Sequence, residues 1–169
     1  MKITFKITHS LFKIICEDLH RPHPFAAERV GFIACRFGLL PQNHLLILAH
    51  DFLQVRDDNY INDCRYGALI GPKGFSKAFD FAFKNEVGIF HVHLHPQNGQ
   101  PRFSAIDKRE MTKFVPDFFN VRPHLPHGGL VFSFNSIAGQ CWIRQNTHSI
   151  PINNFYIIGA PVKRFNGEV

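Results

Sequence analysis

Residues 87–95 read VGIFHVHLH, an apolar run in which histidine recurs at positions 91, 93 and 95. Alternate side chains of a strand point to opposite faces, so His91, His93 and His95 share one face while Val92 and Leu94 take the other. A strand this apolar is a mostly buried one, and it requires a sheet covered by other elements. The three imidazoles follow one another at about 6.6 Å along that strand, at the end where the chain continues as PQNGQPRFSAID.

The remaining pattern supplies the covering layers. ITFKIT (3–8) alternates as a strand. HSLFKIICEDLHR (9–21) carries Leu11, Ile14, Ile15 and Leu19 at helical spacing, with Ser10 as its expected N-cap, and RPHP ends it. RVGFIACRF (29–37) and HLLILAHDFLQV (44–55) read as strands joined by GLLPQN, and SKAFDFAFKN (76–85) as a short amphipathic helix. SAIDKREMTKFVPDFFN (104–120) begins as a helix capped by Ser104, with Asp107 in its first turn. GLVFSFNS and CWIRQ suggest a hairpin turning at IAG, and NNFYIIG a last strand. This order predicts an α/β fold, a single domain over residues 1–169 with a curved mixed sheet flanked by helices.

Composition removes several alternatives. An apolar content of 45% with 19 Phe excludes a disordered tail. Lys and Arg total 19 against 13 Asp and Glu, yet they form no dense cluster, so nucleic acid is not an expected partner. No run reaches the roughly 20 apolar residues of a membrane helix. Cys16, Cys35, Cys64 and Cys141 are widely spaced without a C-x-x-C pair, which fits a reduced, cytoplasmic protein with mostly buried cysteines. GPKG (71–74) lacks the spacing of a phosphate loop. His124, His127 and His148 read as surface or packing residues, and Asp57 and Asp58 as a solvated turn.

The histidine strand raises a metal chemistry of its own. Two imidazoles leaving a strand end can converge on one ion at about 2.0–2.1 Å, and catalytic zinc takes three protein ligands with a fourth position open. Asp107 is the nearest carboxylate downstream, held at a helix start by Ser104. A zinc hydrolase also needs a group that accepts a proton from water and returns it to the departing amine. Glu28, just before the strand RVGFIACRF, is the first candidate, with Glu17 and Glu86 as competitors.

Taken in order, Glu28 with Gly31 three positions on, then His93-Leu94-His95-Pro96, then Ser104-x-x-Asp107 resembles the signature of the JAMM zinc metalloproteases, the JAB/MPN family. The resemblance covers most of the chain and implies a JAB/MPN-like fold and a Zn²⁺-dependent isopeptidase. It assigns the metal to His93, His95 and Asp107, general acid/base catalysis to Glu28, and help with the oxyanion to Ser104. It further implies cleavage after the C-terminus of ubiquitin or a ubiquitin-like protein, in a bacterial conjugation or precursor-processing setting. Other outcomes are a silent scaffold of the same fold that only binds, and a zinc hydrolase of a small amide. Two features depart from the family pattern. The gap from His95 to Ser104 is one residue longer than usual, and Leu94 is larger than the small polar residue normally found there. A ligand pair of His91 and His93 is therefore the alternative register, the unused histidine becoming a supporting or pocket residue.

Overall fold

In the computed structural model, which describes residues 1–159 and 162–166, the alternation of KITFKIT becomes β1 (Lys2–Thr8), with Ile3, Phe5 and Ile7 in the core. Then follow α1 (His9–Leu19), β2 (Val30–Leu40), β3 (His44–Gln54), α2 (Pro72–Asn85), β4 (Gly88–Leu94) and α3 (Ala105–Val121). The chain continues through β5 (His127–Phe132), β6 (Ile137–Trp142), β7 (Ile150–Pro151), β8 (Asn154–Ile158) and β9 (Lys163–Asn166). All nine strands form one sheet in the order β7-β6-β5-β4-β2-β3-β1-β8-β9. It is mixed: β1 runs parallel to β3 and β8, and β4 parallel to β5, while the other pairs are antiparallel. The expected α/β class and mixed sheet are thus observed.

Strand alternation divides the interior into two layers. Phe90, Val92 and Leu94 of β4 join Phe5, Ile33, Ile47 and Phe132 in one core, which α1 covers with Ile15 and Leu19. Val30, Phe32 and Ile89 face the other way, against Ala78 and Ala82 of α2 and Phe118 of α3. Leu94 is large because it fills the first core and is 4% exposed.

Three boundaries differ from the expected ones. Thr8, in place of Ser10, caps α1: its hydroxyl accepts from the Leu11 amide at 3.3 Å. α2 starts at Pro72 instead of residue 76, because proline at the first helical position needs no amide partner. The β5–β6 turn lies at Ser133–Ser136, and IAG belongs to β6. Ser133 closes that turn by accepting the Ser136 amide at 3.0 Å, while Ile137 and Gly139 are core positions. A Cβ on Gly139 would come within 2.5 Å of Leu130, so this glycine serves close packing and makes no turn. β7 and β9, short edge strands, carry no pattern of their own that the sequence makes visible.

Among the scattered histidines, His127 is fully buried at the start of β5, while His124 and His148 are exposed. The Ile89 amide donates to His127 Nδ1 at 3.0 Å, which leaves Nε2–H to donate to the Arg122 carbonyl at 3.2 Å. Accepting at Nδ1 requires the neutral ring, and burial pushes this imidazole down to about 4 against the opposing bond to the Arg122 carbonyl. A folded pKa below the unfolded value contributes stability that is complete above about pH 6.5 and is lost as pH falls toward 4. The expected loss is at most about 3 kcal/mol. Urea midpoints of the wild type between pH 7.5 and 4.5 should therefore fall more steeply than those of His127→Gln. Parallel slopes would assign the pH dependence to other groups.

Candidate metal centre

β2 and β4 run antiparallel with Val30 opposite His93 and Phe32 opposite His91. Continued past both strand ends, this register brings Glu28 beside His95. The His95 amide still donates to the Phe132 carbonyl at 2.9 Å, so β5 holds the backbone of His95 in line with the strand. After His95 the chain loops out through residues 96–103 and returns at the start of α3. That loop is tied to the β5–β6 turn by Ser133 Oγ donating to the Gly99 carbonyl at 2.7 Å and by the Gly99 amide donating to Asn135 Oδ1 at 2.7 Å. Gly99 has φ of +89°, a conformation that favours glycine. These bonds hold the 96–103 loop against the β5–β6 turn.

At the start of α3, Ser104 and Asp107 cap each other. Ser104 Oγ accepts the Asp107 amide at 3.1 Å, and Asp107 Oδ2 accepts the Ser104 amide at 2.7 Å. This fixes the carboxylate toward β4. His93 Nε2 and His95 Nε2 lie 3.2 Å apart, and Asp107 Oδ2 is 3.5 Å from the first and 3.7 Å from the second. Ligands about 2.0–2.1 Å from a tetrahedral ion are separated by about 3.4 Å, so these three atoms match three corners of a zinc site. The fit is chemical as well as geometric. Two imidazole nitrogens and a carboxylate oxygen turned toward one point offer lone pairs that a cation reconciles. Burial by itself would raise the Asp107 carboxyl, but the hydrogen bond and charge of His93, with the Ser104 bonds, outweigh it and hold the group below the usual carboxylate range.

Glu28 occupies a different place. Its Oε1 is 3.9 Å from His95 Nε2, and ligand atoms of Glu28, His93 and His95 all lie within 4.8 Å of one another. It stands slightly farther from His95 than Asp107 does, at 3.9 against 3.7 Å, and a carboxylate at the rim of the group suits action on a water beside an ion. Glu17 pairs with Lys13 at 3.6 Å on the exposed face of α1, and Glu86 is exposed at the end of α2. Neither of these competitors lines the cavity described below.

His91 is not a corner. Its ring centroid lies 5.6 Å from that of His93 and 5.2 Å from that of Phe114. Its Nδ1 is buried without a partner, and burial pushes the imidazole down to about 3, His93 adding to the effect. It is a neutral wall residue. His93 Nδ1 is likewise buried and unpartnered, so packing against Phe103 and His91, in place of a hydrogen-bonded acceptor, orients that ring.

Two supports of Glu28 carry no sequence signal. The Gly67 carbonyl accepts both the Ala27 and Glu28 amides, at 2.8 and 3.0 Å. A Cβ at Gly67 would stand 3.1 Å from the Glu28 carboxyl carbon, so the carboxylate rests where a side chain would be. Arg29, 2% exposed, donates to the Arg21 and Pro22 carbonyls and to Asp57 Oδ1 at 2.7 Å. Asp57, expected as part of a solvated turn, is half exposed and anchors this buried guanidinium. The centre opens into a cavity of about 710 Å³ bounded by Glu28, His91, His93, His95, Ser104 and Asp107 together with apolar side chains.

Metal analysis of the purified protein is expected to give close to one zinc per chain. His93→Ala, His95→Ala and Asp107→Ala should each lose it, because two remaining ligands hold the ion weakly. His91→Ala and Glu28→Gln should retain it. Full zinc in Asp107→Ala, or loss in His91→Ala with retention in His95→Ala, would redraw the ligand set.

No protein-family model matches the sequence, and no curated protein matches it. Among solved structures, the Trichoplax adhaerens STIL N-terminal domain is similar at 10% identity with a TM-score of 0.43. That match covers 82% of this chain and 41% of the other.

Proposed function

We propose that the protein is a zinc-dependent peptidase or isopeptidase of the JAB/MPN type, acting after the C-terminus of ubiquitin or a ubiquitin-like protein. The observation that carries this reading is the triangle of His93, His95 and Asp107 with Glu28 standing just outside it. A mixed sheet whose β2 start meets the β4 end, with α3 returning to the same point, agrees with the fold that the motif order implies. The cytoplasm is the proposed setting. It agrees with the four unpaired cysteines, and no helix among the described residues is long and apolar enough to cross a membrane.

In this reading His93, His95 and Asp107 would hold a zinc ion, which would supply Lewis acidity and lower the pKa of a water toward neutral. Glu28 takes a proton from the attacking water and later delivers it to the departing amine. The Gly67 contact holds the Glu28 carboxylate in place between these two transfers. Ser104 accepts the Asp107 amide through its oxygen, so its own proton can be donated to the carbonyl oxygen as negative charge develops there. His91 stays neutral and excludes water behind His93. Because every one of these side chains is present and converges, a silent scaffold is the weaker alternative. The large cavity favours, as a second reading, a zinc hydrolase of a small apolar amide.

Glu28→Gln should keep zinc and fold while cleavage of a ubiquitin-like fusion falls by about 10²–10⁴-fold. Cleavage at the wild-type rate would remove Glu28 from the chemistry.

A substrate series with Gly-Gly, Ala-Gly or Leu-Leu before the cut, measured on zinc-saturated protein, tests the substrate class. Gly-Gly should give the highest kcat/KM, since glycine admits close backbone approach. Equal values across the series would favour the small-amide hydrolase.

A further inference from the structure

The cavity beside the metal triad is larger than a water and a peptide backbone require. Its inner walls are Val30 of β2, Phe75 of α2, Met111 and Phe114 of α3, and Ala68 and Ile70 of the segment leading to α2. Val30 and Met111 are 5% and 2% exposed, while Ala68, Ile70, Phe75 and Phe114 are half-buried with the two rings 5.5 Å apart, so the walls belong to the core on one side and open to solvent on the other. Protein interiors are otherwise close-packed. At about 710 Å³ the chamber falls within the range of small-molecule sites. Glu110 and Lys113, the charged residues at its edge on α3, pair with each other at 2.9 Å, and Glu110 also pairs with Arg109 at 3.0 Å. Glu28, Ser104 and the three metal-facing residues border the same space. A carbonyl placed at the metal is therefore next to an apolar chamber.

We propose that this chamber receives one bulky apolar group of the substrate, attached directly to the amide that is cut, and that its fit selects the substrate. The inference rests on the metal-dependent amide hydrolysis proposed above and narrows it. A Gly-Gly C-terminus offers no side chain to the chamber, so with such a substrate the occupant belongs to the departing amine. With a small amide, the occupant is the acyl or amine substituent itself.

The test uses two hydroxamates, which anchor on zinc and differ only in their apolar part. On zinc-loaded protein, 4-phenylbutyrohydroxamate is expected to bind at least about 100-fold tighter than acetohydroxamate. Ala68→Phe, which places a ring inside the chamber, should abolish that ratio while acetohydroxamate affinity and zinc content stay unchanged. Ala68→Leu, a milder filling, should lower the ratio in part. Equal affinities for the two compounds on the wild type, or a ratio that survives in folded Ala68→Phe, overturns the proposal. If neither hydroxamate binds, the metal reading has failed, and 4-phenylbutyramide, which cannot chelate, decides the chamber by itself. Saturable binding that Ala68→Phe abolishes supports the chamber, and no binding overturns it.

Discussion

Antiparallel pairing of β2 with β4 in the register that opposes Val30 to His93 is the contact on which the candidate centre depends. Ladder hydrogen bonds and two buried faces hold that register, since a slip by one residue would exchange Phe90, Val92 and Leu94 with the histidines. The same register determines where Glu28 stands, one step beyond the end of β4. Arg29 then clamps the approach to β2, drawing the carbonyls of residues 21 and 22 and the Asp57 carboxylate around one buried guanidinium. Removing that guanidinium would leave the segment before β2 to the Gly67 carbonyl, which holds the Ala27 and Glu28 amides, and the effect on Glu28 would be positional.

The third corner follows from topology. β4 and β5 are parallel neighbours, so the chain between them must cross over, and α3 is that crossover. A crossover leaving the end of β4 begins near that end, where the open amides of a helix start meet the carboxylate of Asp107. Ser104 and Asp107 satisfy each other's amides, which gives the helix its cap and the carboxylate its direction in one arrangement. The capping role of the Ser-x-x-Asp pair and its proposed metal-facing role therefore rest on the same geometry.

Imidazoles within an otherwise apolar layer impose a cost. His91 and His93 each bury a ring nitrogen without a partner, among Phe32, Phe103 and Phe114. Aromatic packing in place of hydrogen bonding keeps these rings in position, and it leaves the apolar chamber between β2, α2 and α3. His127, one strand away, shows the contrasting solution: both its nitrogens are paired with backbone.

Much of this was legible in the chain. Period-two and helical patterns marked most of the strands and all three helices, and the spacing of His93, His95, Ser104 and Asp107 named the residues that converge. Capping chemistry placed the start of α3 correctly because Ser104 and Asp107 act within one turn. The cap of α1 and the β5–β6 turn were misplaced because a serine two residues after a threonine, and glycine within a strand, are ambiguous until packing decides between them.

Local patterns thus determined the elements, which arise from forces that act within a few residues, while the candidate ligands came from the order of the His, Ser and Asp motifs along the chain. Which pair of histidines faces Asp107 was decided only in three dimensions, by the end of β4 and the return of α3. So were the seat of Glu28 on Gly67, the anchoring of Arg29 and the chamber behind His93. Each of these joins residues far apart in the chain. Their contacts are set by strand register and helix packing, which no run of neighbouring residues encodes.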